Sequence, residues 1–259
     1  MNIFCIRSII LIFMIMHLLL LYRKLNFVND NSKELVNISF TTTPNRINKI
    51  RETVESYLNQ DYKNIKLHIT IPKKSFKGLK YQIPSWLQTY SEQNQINIIN
   101  VDEDEGPITK ILGILKLIQD PEELILIADD DLIYPKNWVS LMMYYQRKNP
   151  NKCISITTEK FKKYKISPAY TGTLIKRKFI TNEIFNIPDI SCARGDDLWI
   201  SYNLFKNNID IYNIFPRINN FILKRTWIYE TEYDTKNPEA KGDAKNNLEN
   251  YNNCYKYLK

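Results

Sequence analysis

The chain has 259 residues, 36 Lys and Arg against 28 Asp and Glu, a net charge of +8 and 44% hydrophobic residues, the make-up of an ordinary globular protein. The basic excess is spread along the chain without an arginine-rich or aromatic-interleaved stripe, which argues against nucleic acid as a partner. Only two histidines occur, His17 in an apolar run and His68 in a predicted strand, which argues against a His-based zinc site or catalytic triad.

Ser8 to Tyr22 holds fifteen residues without Asp, Glu, Lys or Arg, bounded by Arg7 and by Arg23-Lys24. The run has no polar face and no small-residue cleavage site follows it, so residues 1–24 are expected to be an uncleaved signal anchor or transmembrane segment. Residues 25–34 then form a short stem, and 35–259 a single domain. The expected topology is a single-pass, type II membrane protein with the domain outside the cytosol, although the flanking charges on the two sides nearly balance.

Leu35 to Phe40 is a short β-prone run leading into the hydroxyl-rich turn Thr41-Thr42-Thr43-Pro44-Asn45-Arg46. The sequon Asn37-Ile38-Ser39 falls inside that strand and is expected to go unused. Ile47, Ile50, Val54, Tyr57 and Leu58 recur at helical spacing. A strand over Ile65–Ile71, a Lys-rich loop, a helix around Trp86–Tyr90 and a strand over Ile96–Val101 follow. After the acidic turn Asp102–Glu105 comes a helix with Ile108, Ile111, Leu112, Leu115 and Ile118 on one face. Leu124 to Ala128 is a continuous apolar run, as expected of a strand covered on both sides. Strands alternating with helices predict an α/β fold with a mostly parallel sheet. In the less regular second half the pattern predicts helices over 137–145, 196–206 and 244–257 and strands over 153–157 and 169–175.

Six glycines, at 78, 106, 113, 172, 195 and 242, stand too far apart for a G-x-G-x-x-G or Walker loop. A bound nucleotide diphosphate would then need a cation held by acids. Asp129-Asp130-Asp131, directly after the most apolar strand, fits that need, because three adjacent carboxylates repel one another unless a cation neutralises them. Strand alternation would point Asp129 and Asp131 to one side as ligands for one Mn²⁺ or Mg²⁺ ion, leaving Asp130 as a structural neighbour. Asp196-Asp197 after Gly195 is a second acidic pair, at a helix start whose dipole favours carboxylates. Of the four cysteines, Cys153, Cys192 and Cys254 leave a disulfide open but show no C-x-x-C spacing.

The apolar strand, Asp129-Asp130-Asp131, Tyr134-Pro135 and Trp138 together resemble the D-x-D region of GT-A fold glycosyltransferases, especially inverting family 2 and its viral and bacterial relatives. The resemblance covers roughly residues 36–215 and includes Thr42-Thr43-Pro44-Asn45-Arg46, Gly106-Pro107-x-x-Lys110 and Gly195-Asp196-Asp197-Leu198-Trp199. It implies a GT-A-like, Rossmann-like three-layer sandwich. It also implies that Thr42, Thr43 and Arg46 lie by the nucleotide, that Asp129 and Asp130 with the metal ligand Asp131 meet ribose and diphosphate, and that Lys110 approaches the diphosphate. Asp102 falls within reach of the nucleotide, and Trp199 is placed to pack on a sugar ring. Asp196 or Asp197 would be the general base, with Asp196 preferred as the one facing the acceptor.

The expected reaction moves a sugar from a nucleotide-diphosphate donor, a UDP-sugar being favoured, to a hydroxyl of a glycan, protein or lipid. A sugar-nucleotide nucleotidyltransferase and a non-catalytic glycan-binding scaffold are the alternatives. Two departures from the family pattern stand out. The second strand ends Ile69-Thr70-Ile71-Pro72 where many members carry an aspartate for the donor base, and no histidine follows residue 68 to act as a downstream metal ligand. Thr226, Glu230, Glu232 and Asp234 are the candidate substitutes for that ligand.

Overall fold

A computed structural model describes residues 34–216, 227–236 and 244–258. The predicted anchor and stem lie outside the described residues, and among those residues no helix is long and apolar enough to cross a membrane.

The core is a seven-stranded sheet in the order β10-β6-β9-β4-β1-β2-β3. Its strands are β1 (Val36–Thr41), β2 (Ile65–Pro72), β3 (Ile96–Val101), β4 (Leu124–Ile127), β6 (Cys153–Ser155), β9 (Thr173–Lys176) and β10 (Ile211–Asn213). β1 pairs in parallel with β2 and β4, β2 with β3, and β6 with β10, while β9 runs against β4 and β6. The expected strand over 169–175 is shorter than its apolar pattern suggested. Pro168 opens a 3₁₀ turn over Ala169–Thr171, and Gly172, at φ +107°, lets the chain turn into the antiparallel strand.

Alternation along each strand sends side chains to two cores. Ile38, Phe40, Leu124 and Leu126 join one, and Ile125 and Ile127 the other. Helices α1 (Arg51–Leu58), α2 (Ser85–Glu92) and α4 (Trp138–Lys148) cover the first core. Helices α3 (Thr109–Leu117), α5 (Ile190–Arg194) and α6 (Asp196–Lys206) cover the second, giving three layers. Burying all four side chains of β4 contributes about 1.5–3 kcal/mol each, which is why this short strand sits at the centre of the sheet. α3 lies unusually close to the sheet: a Cβ on Gly113 would overlap the Thr70 side chain, and Ser39 Oγ donates to the Lys110 carbonyl at 2.6 Å.

Two polar side chains inside the sheet, Asn37 and His68, are held by hydrogen bonds. Asn37 is buried and donates to the Leu124 carbonyl at 3.2 Å, so the sequon is inaccessible in the folded chain. His68 lies between Asn37 and Asn97, and burial pulls its pKa down to about 4, so it is neutral.

The antiparallel ribbon of β5 (Leu132–Ile133) and β11 (Tyr229–Glu230), the hairpin of β7 (Glu159–Phe161) and β8 (Tyr164–Ile166), and the helices α7 (Glu232–Lys236) and α8 (Ala244–Tyr255) complete the described elements. A disulfide joins Cys192 on α5 to Cys254 on α8.

Candidate active site

Strands β1, β2, β3 and β4 run in parallel, so their carboxyl ends share one edge, where an open α/β sheet offers a crevice. The turn at Thr42 follows β1 and the three aspartates follow β4 on that edge. β4 ends at Ile127, so Asp129, Asp130 and Asp131 lie in an irregular bend and strand alternation does not govern them. This corrects the expectation that Asp129 and Asp131 share a side because of the strand period.

Each aspartate meets a different environment. Asp129 Oδ1 accepts from Lys110 Nζ at 2.6 Å. Asp130 Oδ2 accepts from Thr42 Oγ1 at 2.5 Å and from Arg46 Nε at 3.3 Å. The Asp131 carbonyl accepts from Thr231 N at 3.4 Å. The bend is held from behind as well: Tyr57 Oη donates to the Asp129 carbonyl at 2.5 Å and Thr53 Oγ1 to that of Asp130 at 3.1 Å.

Lys110 joins the two acidic motifs. Its ammonium is 3% exposed and lies 2.6 Å from Asp129 and 2.7 Å from Asp196. Burial opposes its charge, but Asp129 and Asp196 outweigh that and hold its pKa well above the ordinary lysine value. Lys110 sits in the first turn of α3, where the helix dipole disfavours a cation, and the two carboxylates offset that cost. The lysine expected to approach a diphosphate is here engaged with two carboxylates.

Asp196 and Asp197 begin α6, where the dipole favours negative charge. Asp196 is 7% exposed and paired with Lys110. Asp197 is half-buried, and its Oδ1 accepts from Ala169 N at 2.8 Å. Burial, then repulsion from Asp196, pushes the Asp197 pKa well above the carboxylate range, with Lys110 pulling the other way. Of the two candidates for the acceptor-facing acid, Asp196 is buried against its counterion and Asp197 is the more open.

Other expected residues are placed differently. Arg46 is 9% exposed, and its guanidinium makes a two-pronged pair with Asp234 at 2.6 and 3.0 Å. Its role is to fasten the ribbon and α7 to the aspartate bend rather than to stand open beside a ligand. Asp234 also accepts from Thr231 Oγ1. Thr43 is exposed, and its carbonyl accepts from Arg46 N and Ile47 N. Asp102 is a surface residue paired with Lys73, and among the described residues no hydrogen bond or ion pair joins it to the cluster. Trp199 is 6% exposed, donates its indole N–H to the Ile184 carbonyl at 2.9 Å and stacks on Tyr202, so it is a core residue and not a sugar-facing ring. Of the substitute metal ligands, Asp234 is taken by Arg46, Glu232 pairs with Lys236 at the surface, and Thr226 lies outside the described residues.

Sequence reasoning missed Tyr170 and Tyr251, and it named Asp234 only as a substitute metal ligand, not as the partner of Arg46. Tyr251, on α8, lies within electrostatic reach of Asp197 and Asp196, and burial and those charges keep its phenol protonated. A Cβ on Gly195 would come within 3.0 Å of the Tyr251 ring, so this approach requires a glycine just before the acidic pair. Tyr170 is likewise raised by burial, Glu159 and Asp197. Only the cysteine pairing could have pointed to Tyr251, since all these contacts span long stretches of sequence.

The donor set suits a hard divalent ion only in part. Asp129, whose side chain is 32% exposed, has one oxygen held by Lys110 and the other at the open edge, Asp131 is half-buried with Oδ1 enclosed, and Asp130 is committed to Arg46 and Thr42. Among the described residues no group of three or more His, Cys, Asp and Glu side chains could hold a metal, so an ion here would complete its shell with ligand oxygens.

The glycosyl transferase family 2 model matches residues 40–192, more than half of the chain, and the chain belongs to that family. The matched span contains the Thr42–Arg46 turn, Lys110 and all three aspartates of the bend, and it ends just before Asp196. No curated protein matches the chain by sequence. Similar solved structures include the mannosyltransferase PcManGT from Pyrobaculum calidifontis in complex with GDP-Man and Mn²⁺, at 11% identity over 89% of this chain and 70% of that one, with a TM-score of 0.49. They also include S. aureus TarS residues 1–349 in complex with UDP-GlcNAc, at 14% identity over 70% of this chain and 56% of that one, with a TM-score of 0.46. Family membership rests on the first match alone.

Proposed function

We propose that this glycosyltransferase moves a sugar from a nucleotide-diphosphate donor, a UDP-sugar by preference, to a hydroxyl of a glycan, protein or lipid, inverting the anomeric centre. The observation that carries this reading is the Lys110 ammonium, bound to Asp129 and Asp196 at once, which makes one site of two acidic motifs far apart in sequence. Asp129 and Asp131 would hold Mn²⁺ or Mg²⁺, which when bound supplies charge stabilisation for the leaving diphosphate. Asp197 acts as general base: it takes the acceptor hydroxyl proton as the oxygen bonds to the anomeric carbon and the carbon–oxygen bond to the diphosphate breaks. Its raised pKa, caused by burial and by Asp196, makes it a readier proton acceptor than an ordinary carboxylate, in keeping with this role. Lys110 and Asp196 set the charge beside it, and Arg46 with Asp234 keeps the donor-side bend in place.

The uncharged run Ser8–Tyr22 supports a membrane anchor. The Cys192–Cys254 disulfide supports a catalytic domain outside the cytosol, where such bonds persist. The deciding experiment incubates the purified full chain in detergent with UDP-, GDP- and CMP-sugars, with and without Mn²⁺, following donor binding and hydrolysis. Metal-supported binding or turnover with one class of donor is expected. Neither binding nor turnover with any donor would sink the proposal.

A further inference from the structure

The loop between β2 and α2, residues 73–84, stands at the same sheet edge as the candidate site, because β2 ends there with its parallel neighbours. Its sequence, KKSFKGLKYQIP, alternates lysines with large apolar residues. Large apolar side chains exposed singly are ordinary. Here Phe76, Leu79 and Ile83 are 59%, 46% and 37% exposed within one short loop. Lys74, Lys77 and Lys80 are exposed beside them, and among the described residues no ion pair engages any of the three, whereas Lys73 is offset by Asp102.

The loop is ordered by its own hydrogen bonds and by one to the acidic turn after β3, Phe76 N donating to Asp104 Oδ2 at 2.7 Å. Ser75 N donates to the Leu79 carbonyl at 2.8 Å, Leu79 N to Ser75 Oγ at 3.1 Å, and Gly78 N to the Ser75 carbonyl at 2.7 Å. Gly78 at φ +76° permits that tight turn, which displays Phe76 and Leu79 at its tip. The loop is also fastened to both sides of the site. Tyr81 Oη donates to the Thr42 carbonyl at 3.0 Å, and the exposed Arg194 guanidinium lies over the Phe76 ring at 5.1 Å, two residues before Asp196.

We propose that this rim is a membrane-contact surface that takes the face of an anionic bilayer. A soluble polyanion would be recognised by cations alone and would leave three large apolar side chains in water. Protein interfaces, for their part, are depleted of lysine. Apolar side chains interleaved with lysines suit the boundary between acyl chains and anionic headgroups, where each kind of group finds its own partner. The lysines and Arg194 supply the complementary charge, and Phe76, Leu79 and Ile83 the shallow insertion. Contact there would present the edge bearing Thr42 and Asp197 to groups at the membrane surface. The inference stands apart from the glycosyl-transfer reading, since it concerns what the rim touches and not what the site does.

The test is amide hydrogen exchange on the full chain in neutral phosphatidylcholine nanodiscs and in nanodiscs with about 30% phosphatidylserine. Any N-terminal anchor is common to both and cancels. Exchange over 73–84 is expected to slow by about fivefold or more in the anionic discs. The double variant Phe76→Ser, Leu79→Ser should lose that slowing, while exchange over β4 stays as in the parent and so reports an intact fold. Equal exchange of the parent in the two discs overturns the proposal. Heparin added to neutral discs separates membrane from soluble polyanion, and equal slowing by heparin also overturns it. So does slowing that survives in the double variant.

Discussion

The two acidic runs of this molecule lie at one site, yet their charge is balanced in different ways. In the bend at 129–131, separate cations from separate elements meet neighbouring carboxylates: Lys110 meets Asp129 and Arg46 meets Asp130. At 196–197 two neighbouring carboxylates share the one ammonium that Asp129 already uses. Burial raises the Asp130 pKa too, but Arg46 and Thr42 pull it back, whereas at Asp197 the neighbouring carboxylate adds to burial, so Asp197 binds a proton the more readily and can exchange one. A run of aspartates does not disclose which kind it is. The cations that decide the matter come from elsewhere in the chain.

The sharpest way to break this contrast is to neutralise the proton-exchanging member. Asp197→Asn is expected to lower kcat by about 10²–10⁴-fold, the range of a lost general base, with donor Kd by calorimetry within about threefold of the parent. A large loss of donor binding instead would move Asp197 to the donor side. Because the Asp197 pKa is raised, activity should climb as pH rises through that raised value, so the acid limb of kcat/KM lies above the ordinary carboxylate range.

Removing the shared cation tests the contrast from the other side. Lys110→Met leaves Asp196 buried without its partner, and urea unfolding is expected to show a loss of about 4 kcal/mol. Lys110 lowers the Asp197 pKa, so its removal should also shift the acid limb of kcat/KM to still higher pH. An unmoved limb would mean that the ammonium does not tune the pair.

Arg46 and Asp234 are the counterpart beside the 129–131 bend. Either Arg46→Met or Asp234→Ala breaks a two-pronged buried pair and is expected to cost about 3 kcal/mol. The double variant should cost clearly less than the sum of the two, since both changes break the same Arg46–Asp234 pair, although Arg46 also loses Asp130. Limited proteolysis would show cleavage appearing within 227–236 in these variants if the pair is what fastens that segment. Unchanged cleavage would assign the fastening to the β5–β11 pairing alone.

Much of this was legible where the physics is local. β1 to β4 and the helices between them follow from apolar period, and the helix over 196–206 begins and ends where its pattern predicts. The second half resisted for the opposite reason. β6 was expected over 153–157 and spans only 153–155, while β7, β8 and β10, three residues each, are too short for any period and exist because pairing with another strand completes them. The site divided along the same line. Asp129, Asp131 and Asp197 were legible as types in context, but the Arg46–Asp234 pair spans 188 residues with no sequence mark. Trp199 was misplaced because a tryptophan beside an acid suggests a sugar platform, whereas packing on Tyr202 and a bond to Ile184 commit it to the core.

The smallest expected effect concerns a residue that sequence position alone favoured. Asp102 follows β3 at the ligand-binding edge, as Asp129 follows β4, and position would give the two similar weight. Their surroundings differ: Asp129 meets a buried ammonium, whereas Asp102 and its partner Lys73 are about three-quarters exposed at 76% and 74%. An ion pair in water holds neither charge in a fixed direction and is screened by salt, so it exerts little force on a ligand. Asp102→Asn is therefore expected to change donor Kd and kcat by no more than about twofold. Asp129→Asn, which strips Lys110 of one of its two carboxylates, should weaken donor binding by tenfold or more, on the order of 1.4 kcal/mol. Titration of both variants with the same donor measures the difference. Equal losses would mean that the sheet edge, rather than the buried cation, selects which aspartates serve the site.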